Sequence, residues 1–142
     1  MNEAARKALE QIEAERGELT TEDVVAAARP ADSPLHDYFE WRETQAAAKY
    51  RLEQARRVIQ RYRVEFISPK QITRSVRGYA SVKRTDDGGE RRVFVSVRTA
   101  LADEDLHSQI LADLRRDVNA LRRKYAHLEE FAEILLEAIA AD

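Results

Sequence analysis

The sequence predicts an α+β protein in which helices at both ends of the chain flank a small antiparallel sheet. Charged residues make up 35% of the 142 residues, with only four Gly and three Pro, a composition that favours helices. Between residues 62 and 97, apolar and polar residues alternate in three short runs, as in half-buried strands. From residue 111 onward, apolar residues recur at alternating spacings of three and four, the pattern of one helix face.

The N-terminal segment predicts two helices with clear ends. Residues 2–16 contain good helix formers with an apolar stripe, and Gly17 is a typical residue at a helix C-terminus. Thr20 or Thr21 is expected to cap a second helix, because a threonine hydroxyl accepts a hydrogen bond from a free N–H of the first turn. Pro30 ends this helix, because proline has no N–H to continue it.

Two further helices are predicted before the sheet. Residues 33–41 are expected to form a short helix with Pro34 near its start, and its aromatic side chains to form the centre of the core. Residues 44–61 predict a longer helix, in which Ala48, Leu52, Ala55 and Ile59 would line the buried face. The remaining faces of this helix carry most of its basic residues.

A three-stranded antiparallel sheet is predicted from residues 62–68, 79–83 and 92–97. Residues 86–89, with the sequence Asp-Asp-Gly-Gly, predict a hairpin turn between the last two strands, because glycine tolerates the positive φ that tight turns need. The segment between the first two strands is basic and is interpreted as a connector.

The C-terminal segment predicts a helix from Asp103 or Asp105 to about residue 140, with an apolar seam that continues for about four heptads. At 1.5 Å per residue such a helix would be about 55 Å long. It is therefore expected either to break near Ala126 and His127 or to project and pair with another chain, a dimer being favoured. We divide the chain into a helical and β-hairpin domain (residues 1–100) and an oligomerisation helix (residues 101–142). The oligomerisation residues are Leu111, Leu114, Val118, Leu121, Tyr125, Leu128 and Leu135.

Charge is unevenly distributed along a chain whose net charge is only −2. Residues 49–92 contain thirteen Lys and Arg against five Asp and Glu, whereas the segments on both sides are acidic. A concentrated positive surface attracts polyanions whatever the total charge. The sequence therefore predicts contact with nucleic acid through its middle third.

The order of short helices followed by a basic hairpin is similar to that of a winged helix-turn-helix, in which one helix enters the major groove and the hairpin touches phosphate. Residues 44–61 would be the recognition helix. The residues expected to contact DNA are Lys49, Arg56, Arg57, Gln60, Arg61, Lys83, Arg84, Arg91 and Arg92. In the alternative interpretation these cations pair with the surplus carboxylates, within one chain or between protomers, and the protein is a structural or protein-interaction module.

Signals for enzymatic activity are weak. The chain has no cysteine and three scattered histidines, which argues against thiolate and histidine metal sites. No phosphate-binding glycine loop and no nucleophile motif is present. We therefore expect no catalytic residue, no metal and no cofactor. The N-terminus lacks the apolar core of a signal peptide and no stretch is apolar enough to span a bilayer, which predicts a cytoplasmic protein without a membrane partner.

Several segments resemble a family of small hypothetical proteins of bacteriophages and prophages. The resemblance lies in residues 19–29, 33–41, 46–47, 50–56 and 122–128, together about half of the chain. Its most specific part is Ser33-Pro34-Leu35-His36, followed by Phe39-Glu40-Trp41. The family has no settled activity, so no catalytic residue follows from it. It implies a phage-derived cytosolic protein and is compatible with a DNA-binding or regulatory role.

Overall fold

The computed structural model describes residues 1–141, and its helices and short antiparallel strands confirm the predicted α+β class. A single 3-10 turn, His36–Tyr38, lies between the second and third helices. In chain order the elements are α1 (Glu3–Arg16), α2 (Thr21–Ala28), α3 (Gln45–Arg61), β1 (Arg63–Ile67), β2 (Thr73–Arg77), β3 (Tyr79–Asp86), β4 (Gly89–Ser96), α4 (Val97–Ala102), α5 (Glu104–Lys124) and α6 (Phe131–Ala140).

The first two helices begin and end where the sequence predicts. Asn2 Oδ1 accepts a hydrogen bond from the backbone N–H of Ala5 at 2.8 Å and caps α1. Gly17 ends α1 with φ +76°, a left-handed conformation that glycine adopts without a steric penalty. Thr20 Oγ1 accepts from the backbone N–H of Asp23 at 3.1 Å and caps α2. These ends are set by residues directly adjacent to the helices, two through their capping side chains and Gly17 through its backbone.

The predicted helix over residues 33–41 is wrong, since only the 3-10 turn forms there. Trp41 Nε1 donates to the carbonyl oxygen of His36 at 3.0 Å. Arg51 Nη1 donates to the carbonyl oxygens of Glu40 and Arg42 at 3.2 and 2.9 Å. Side chains thus satisfy the backbone acceptors of this segment, which does not need helical hydrogen bonds and continues in an extended conformation at Phe39.

Helix α3 buries a face slightly different from the predicted one. Its buried residues are Ala47, Arg51, Ala55, Val58 and Ile59. The prediction correctly included Ala55 and Ile59, but Ala48 is exposed and Leu52 is only half-buried. The helix is therefore rotated by about one residue relative to the prediction, because the guanidinium of Arg51 is directed inward to the loop before the helix.

The predicted three-stranded sheet is also wrong, because the strands form two separate two-stranded sheets. The basic segment interpreted as a connector is strand β2, which pairs with β1 through Val64↔Val76 and Ile67↔Thr73. Strand β1 is thereby paired within its own hairpin and does not join β3. The hairpin of β3 and β4 is confirmed, with Asp86 opposite Gly89 at its turn.

Both outer edges of the β3–β4 hairpin are covered. The backbones of Leu19 and Phe94 exchange two hydrogen bonds of 2.7 Å along β4. Along β3, the side-chain amide of Gln109 accepts from the backbone N–H of Lys83 at 2.8 Å and donates to its carbonyl at 2.9 Å. An exposed strand edge invites pairing with other chains, so these contacts leave the middle of the hairpin unavailable for edge pairing.

The core consists of two clusters. The first joins α1, α2 and α3 with Leu35, Phe39 and the two tyrosines Tyr62 and Tyr79. The second lies on one face of the β3–β4 hairpin, where valines of both strands pack against Ala100 of α4 and Leu106 of α5. The start of α5 is thus anchored to the hairpin.

The single long C-terminal helix is not formed. Helix α5 ends at Lys124, turns occupy residues 125–130, and α6 follows, so the break lies where the first of the two expected outcomes placed it. Basic side chains of residues 122–124 lie at the C-terminus of α5, and acidic residues such as Glu133 lie at the start of α6. Positive charge stabilises a helix C-terminus and negative charge a helix N-terminus, through the helix dipole. The charge pattern therefore favours two helices over one.

Candidate nucleic-acid interface

Helix α3 presents a basic face on the side opposite its buried residues. Lys49, Arg56 and Gln60 lie along one line of the helix, because spacings of seven and eleven residues are close to two and three turns. Arg57 and Arg61 lie on the adjacent line. All five side chains are exposed. We call these five residues the α3 basic face.

The cations of the α3 basic face have no carboxylate partner. Within residues 1–141 no ion pair involves Lys49, Arg56, Arg57 or Arg61. The guanidinium of Arg57 lies over the ring of Tyr50, with 5.9 Å between its carbon and the ring centroid. Glu53 is exposed on the same face and forms no ion pair with these cations. Four positive charges therefore remain available for an external anion.

The arginines Arg84 and Arg91 of the β3–β4 hairpin, unlike the cations of α3, form ion pairs with carboxylates. Arg84 Nη1 donates to Glu18 Oε2 at 2.8 Å, and Arg91 Nη1 donates to Glu18 Oε1. Arg91 Nε also donates to Asp86 Oδ2 at 2.7 Å. Only 8% of Glu18 is exposed, so one buried carboxylate holds two guanidinium groups against the hairpin.

The remaining hairpin cations are also bonded within the chain. Lys83 Nζ forms an ion pair of 3.0 Å with Glu90. Arg92 Nη1 donates to Ser81 Oγ at 3.2 Å. Hydrogen bonds from Arg91 and from the backbone N–H of Gly88 lower the pKa of Asp86. The hairpin tip therefore carries an ionised carboxylate, which would repel phosphate.

Two residues of this region have structural roles that counting charges does not reveal. Arg51 belongs to the basic segment but is only 5% exposed, and it contacts the Trp41 ring while it bonds the loop carbonyls. Glu18 belongs to the acidic N-terminal segment and neutralises the hairpin. Sequence spacing does not predict either set of contacts. The partners of Arg51 are backbone carbonyls, and the partners of Glu18 lie more than 60 residues away in sequence.

The elements around α3 and the β3–β4 hairpin do not follow the usual order of a winged helix-turn-helix. Residues 29–44 separate α2 from α3, whereas the turn of that motif has three or four residues. The β1–β2 hairpin follows α3 directly and precedes the β3–β4 hairpin. The candidate interface is therefore built around α3 alone.

The seam residues fall on three successive segments. Leu111, Leu114, Val118 and Leu121 lie on α5 and are all exposed. Tyr125 follows the end of α5 and is half-buried, and Leu128 is exposed in the turns that follow. Leu135 is half-buried on α6. The structure therefore brings the first four together on one helix and separates the other three from them.

A groove of about 1130 Å³ opens between α1, β1 and α4. Among the residues that line it, the hydroxyl of Tyr62 donates to the carboxylate of Glu10. Burial, and to a smaller extent this hydrogen bond, raise the pKa of Tyr62 to about 12. Burial and the nearby charge of Glu13 raise the pKa of Tyr79 as well. A side chain at Gly78 would overlap the Tyr62 ring, with its Cβ only 2.2 Å from a ring carbon. The carboxylates of Glu10 and Glu13 make this groove unfavourable for phosphate.

The described part of the chain lacks two other kinds of feature. Within residues 1–141, no group of three or more His, Asp or Glu side chains is arranged to hold a metal ion. No helix in this range is both long enough and apolar enough to cross a bilayer.

No protein-family model matches the chain, and no curated protein and no solved structure is significantly similar to it.

Proposed function

We propose that this is a DNA-binding or regulatory protein that contacts phosphate through the α3 basic face and self-associates through the seam of α5. The proposal rests on one observation above all: four exposed cations on one side of α3 have no carboxylate partner within residues 1–141. Unpaired basic side chains along a helix are suited to phosphate, since their charges are not yet neutralised. A phage-derived, cytoplasmic protein is the context implied by the resemblance.

The α3 basic face and the hairpin have different roles in this proposal. The α3 side chains make the main phosphate contacts, and Gln60 is placed among them as a possible base contact. The cations of the hairpin contribute less to DNA binding, because each is already bonded to a carboxylate or a hydroxyl. They are Lys83, Arg84, Arg91 and Arg92. Most of these contacts would fix position on DNA without specifying sequence.

A titration of a fluorescent mixed-sequence duplex at several salt concentrations tests the proposal. Replacing Arg56, Arg57 and Arg61 with Ala should weaken binding and flatten the dependence of log K on log salt by about 0.9 for each phosphate contact removed. The matched control replaces Lys7, Arg98 and Arg123 with Ala, which removes the same charge from other exposed positions. Equal losses in the two triple variants would show that only total charge matters, and unchanged binding in a folded α3 variant would remove this face from the site.

A structural or protein-interaction module without nucleic-acid binding is the second candidate, and the exposed apolar seam of α5 favours it. Leu121→Asp separates the candidates. The substitution should dissociate the oligomer in both cases, since it places a charge in an apolar interface. If the protein binds DNA as a dimer, the substitution should also lower the DNA affinity, because a monomer makes only half of the phosphate contacts. If the protein is an interaction module, there is no DNA affinity to lose.

A further inference from the structure

The partner of the α5 seam can be specified further from the charges beside it, a step that rests on the self-association proposed above. Leu111, Leu114, Val118 and Leu121 follow spacings of three, four and three and are between 37% and 56% exposed. Leu106 is the one residue of α5 that is buried. Such a continuous apolar stripe on a charged helix is typical of a surface that another helix covers.

Within residues 1–141, no other segment buries this stripe. Gln109, Asp113 and Arg116 line a groove with Lys83 and Arg92 of the hairpin, so this side of α5 faces the body of the protein. At 3.6 residues per turn, the stripe lies on the opposite side of the helix from these residues. The stripe therefore points away from the hairpin.

The seam has the residue types of a two-stranded coiled coil. In heptad terms Leu111 and Val118 occupy positions a, and Leu114 and Leu121 occupy positions d. A β-branched residue at a with leucine at d favours two parallel strands over three or four. The central layers, Val118 and its two leucine neighbours, match this rule.

Charges at the edge of the seam distinguish the two possible orientations. Asp117 occupies position g and Arg122 position e, and neither forms an ion pair within residues 1–141. In a parallel, in-register pair each g residue faces the e residue five positions further along the partner. Asp117 would then face Arg122 of the partner subunit, and the two-fold symmetry would make this contact twice.

The antiparallel orientation is electrostatically worse. There e faces e and g faces g. Both e positions of the seam, Arg115 and Arg122, are cationic. An attraction between Asp117 and Lys124 at the g positions would only offset the repulsion between these arginines, whereas the parallel pair has attraction alone. Like charges at an interface oppose pairing. We propose that α5 pairs with a second copy of this chain as a parallel, in-register, two-stranded coiled coil.

Single-cysteine crosslinking of the full chain tests the orientation, because the protein has no cysteine of its own. In the parallel arrangement each d residue lies beside its own counterpart, about 6 Å away between Cα atoms, within the range of a disulfide. Leu114→Cys and Leu121→Cys should each form a disulfide dimer alone in a thiol redox buffer. Arg123→Cys, on an exposed position away from the seam, is the control and should not crosslink.

The outcomes separate this inference from the proposed self-association. A dimer by sedimentation that crosslinks only when Val118→Cys and Leu121→Cys chains are mixed would establish antiparallel pairing and overturn the inference alone. A dimer that crosslinks in no variant would also overturn the parallel seam. A monomer at every concentration would overturn both the inference and self-association.

A charge exchange gives an independent measurement. Asp117→Arg should weaken the dimer about tenfold, because two attractive contacts become repulsive, and Asp117→Arg with Arg122→Asp should restore it. A double variant as weak as the single one would show that these two residues do not meet across the interface.

Discussion

The large apolar side chains of residues 1–106, which we call the body, are mostly buried in two core clusters, whereas those of residues 107–141, the arm, are not. Leu9, Leu19 and Leu35 in the body have no exposed surface. In the arm, no large apolar residue is buried, and Leu114 is 56% exposed. Both regions have similar apolar periodicity in sequence, but in the arm Ile110 packs against the second core cluster while the stripe from Leu111 to Leu121 stays exposed.

Two sets of charged residues illustrate a further difference between the regions, although the α3 basic face of the body is itself unpaired within residues 1–141. In the body, Glu18 binds two guanidinium groups across the fold. In the arm, Asp117 and Arg122 have no such partner within the described chain. Glu18 thus has its partners within the chain, whereas partners for Asp117 and Arg122 belong to the self-association proposed above.

The largest expected difference between body and arm is in matched leucine truncations. Leu9→Ala should lower the free energy of unfolding by about 2–5 kcal/mol, because it leaves a cavity in the first core cluster. Leu114→Ala should leave the stability of the monomer nearly unchanged and weaken only the dimer. Urea unfolding at a concentration at which the chain is monomeric measures both. Similar losses for the two variants would show that the arm packs against its own body.

A smaller difference is expected for the charged groups. Glu18→Gln should lower the free energy of unfolding by about 1–3 kcal/mol, because it weakens two charge-assisted hydrogen bonds of a buried carboxylate. Asp117→Asn in the arm is the matched control and should not affect the monomer. The same Glu18 variant also weakens the hold on Arg84 and on Nη1 of Arg91, whose Nε stays bonded to Asp86, so a gain in DNA affinity would reveal that the hairpin contacts phosphate. An unchanged affinity would confine the interface to α3.

The smallest expected effect is a loss of body stability at high pH. The pKa of Tyr62 is about 12 in the folded protein, above its usual value of 10.0. The folded state therefore binds this proton more tightly than the unfolded state does. Its contribution is complete below pH 10 and is lost as the pH rises towards 12.

Thermal unfolding across this pH range measures the effect, with Tyr62→Phe as the control. The variant lacks the hydroxyl that titrates and should show a shallower decline, to which Tyr79 still contributes because burial raises its pKa as well. An identical decline in the two proteins would assign the effect to other groups.

Those elements that depend on neighbouring residues could be predicted from sequence. Asn2, Gly17 and Thr20 mark the ends of α1 and α2 because their hydrogen bonds and backbone angles involve residues at most four positions away. The Asp-Gly turn determines the β3–β4 hairpin in the same way. The exposed basic residues of α3 also followed from helical periodicity, although the buried face was misplaced by about one residue.

The elements that depend on distant contacts could not be predicted. The loop after His36 is extended because the guanidinium of Arg51 reaches its carbonyls. Strand β1 pairs with β2, a segment rich in arginine, and not with β3. The pairing of Arg84 and Arg91 was decided by Glu18, a residue 66 positions before Arg84.

The sequence by itself thus determined the ends of α1 and α2, the turn of the β3–β4 hairpin and the apolar stripe of α5, since local hydrogen bonds and periodicity act over a few residues. Only the tertiary structure decided the strand pairing, the pairing of the hairpin cations with carboxylates, and the absence of such partners for the α3 basic face within residues 1–141. These features depend on contacts between residues that are distant in sequence and come together only when the core forms. The local sequence pattern does not predict such contacts.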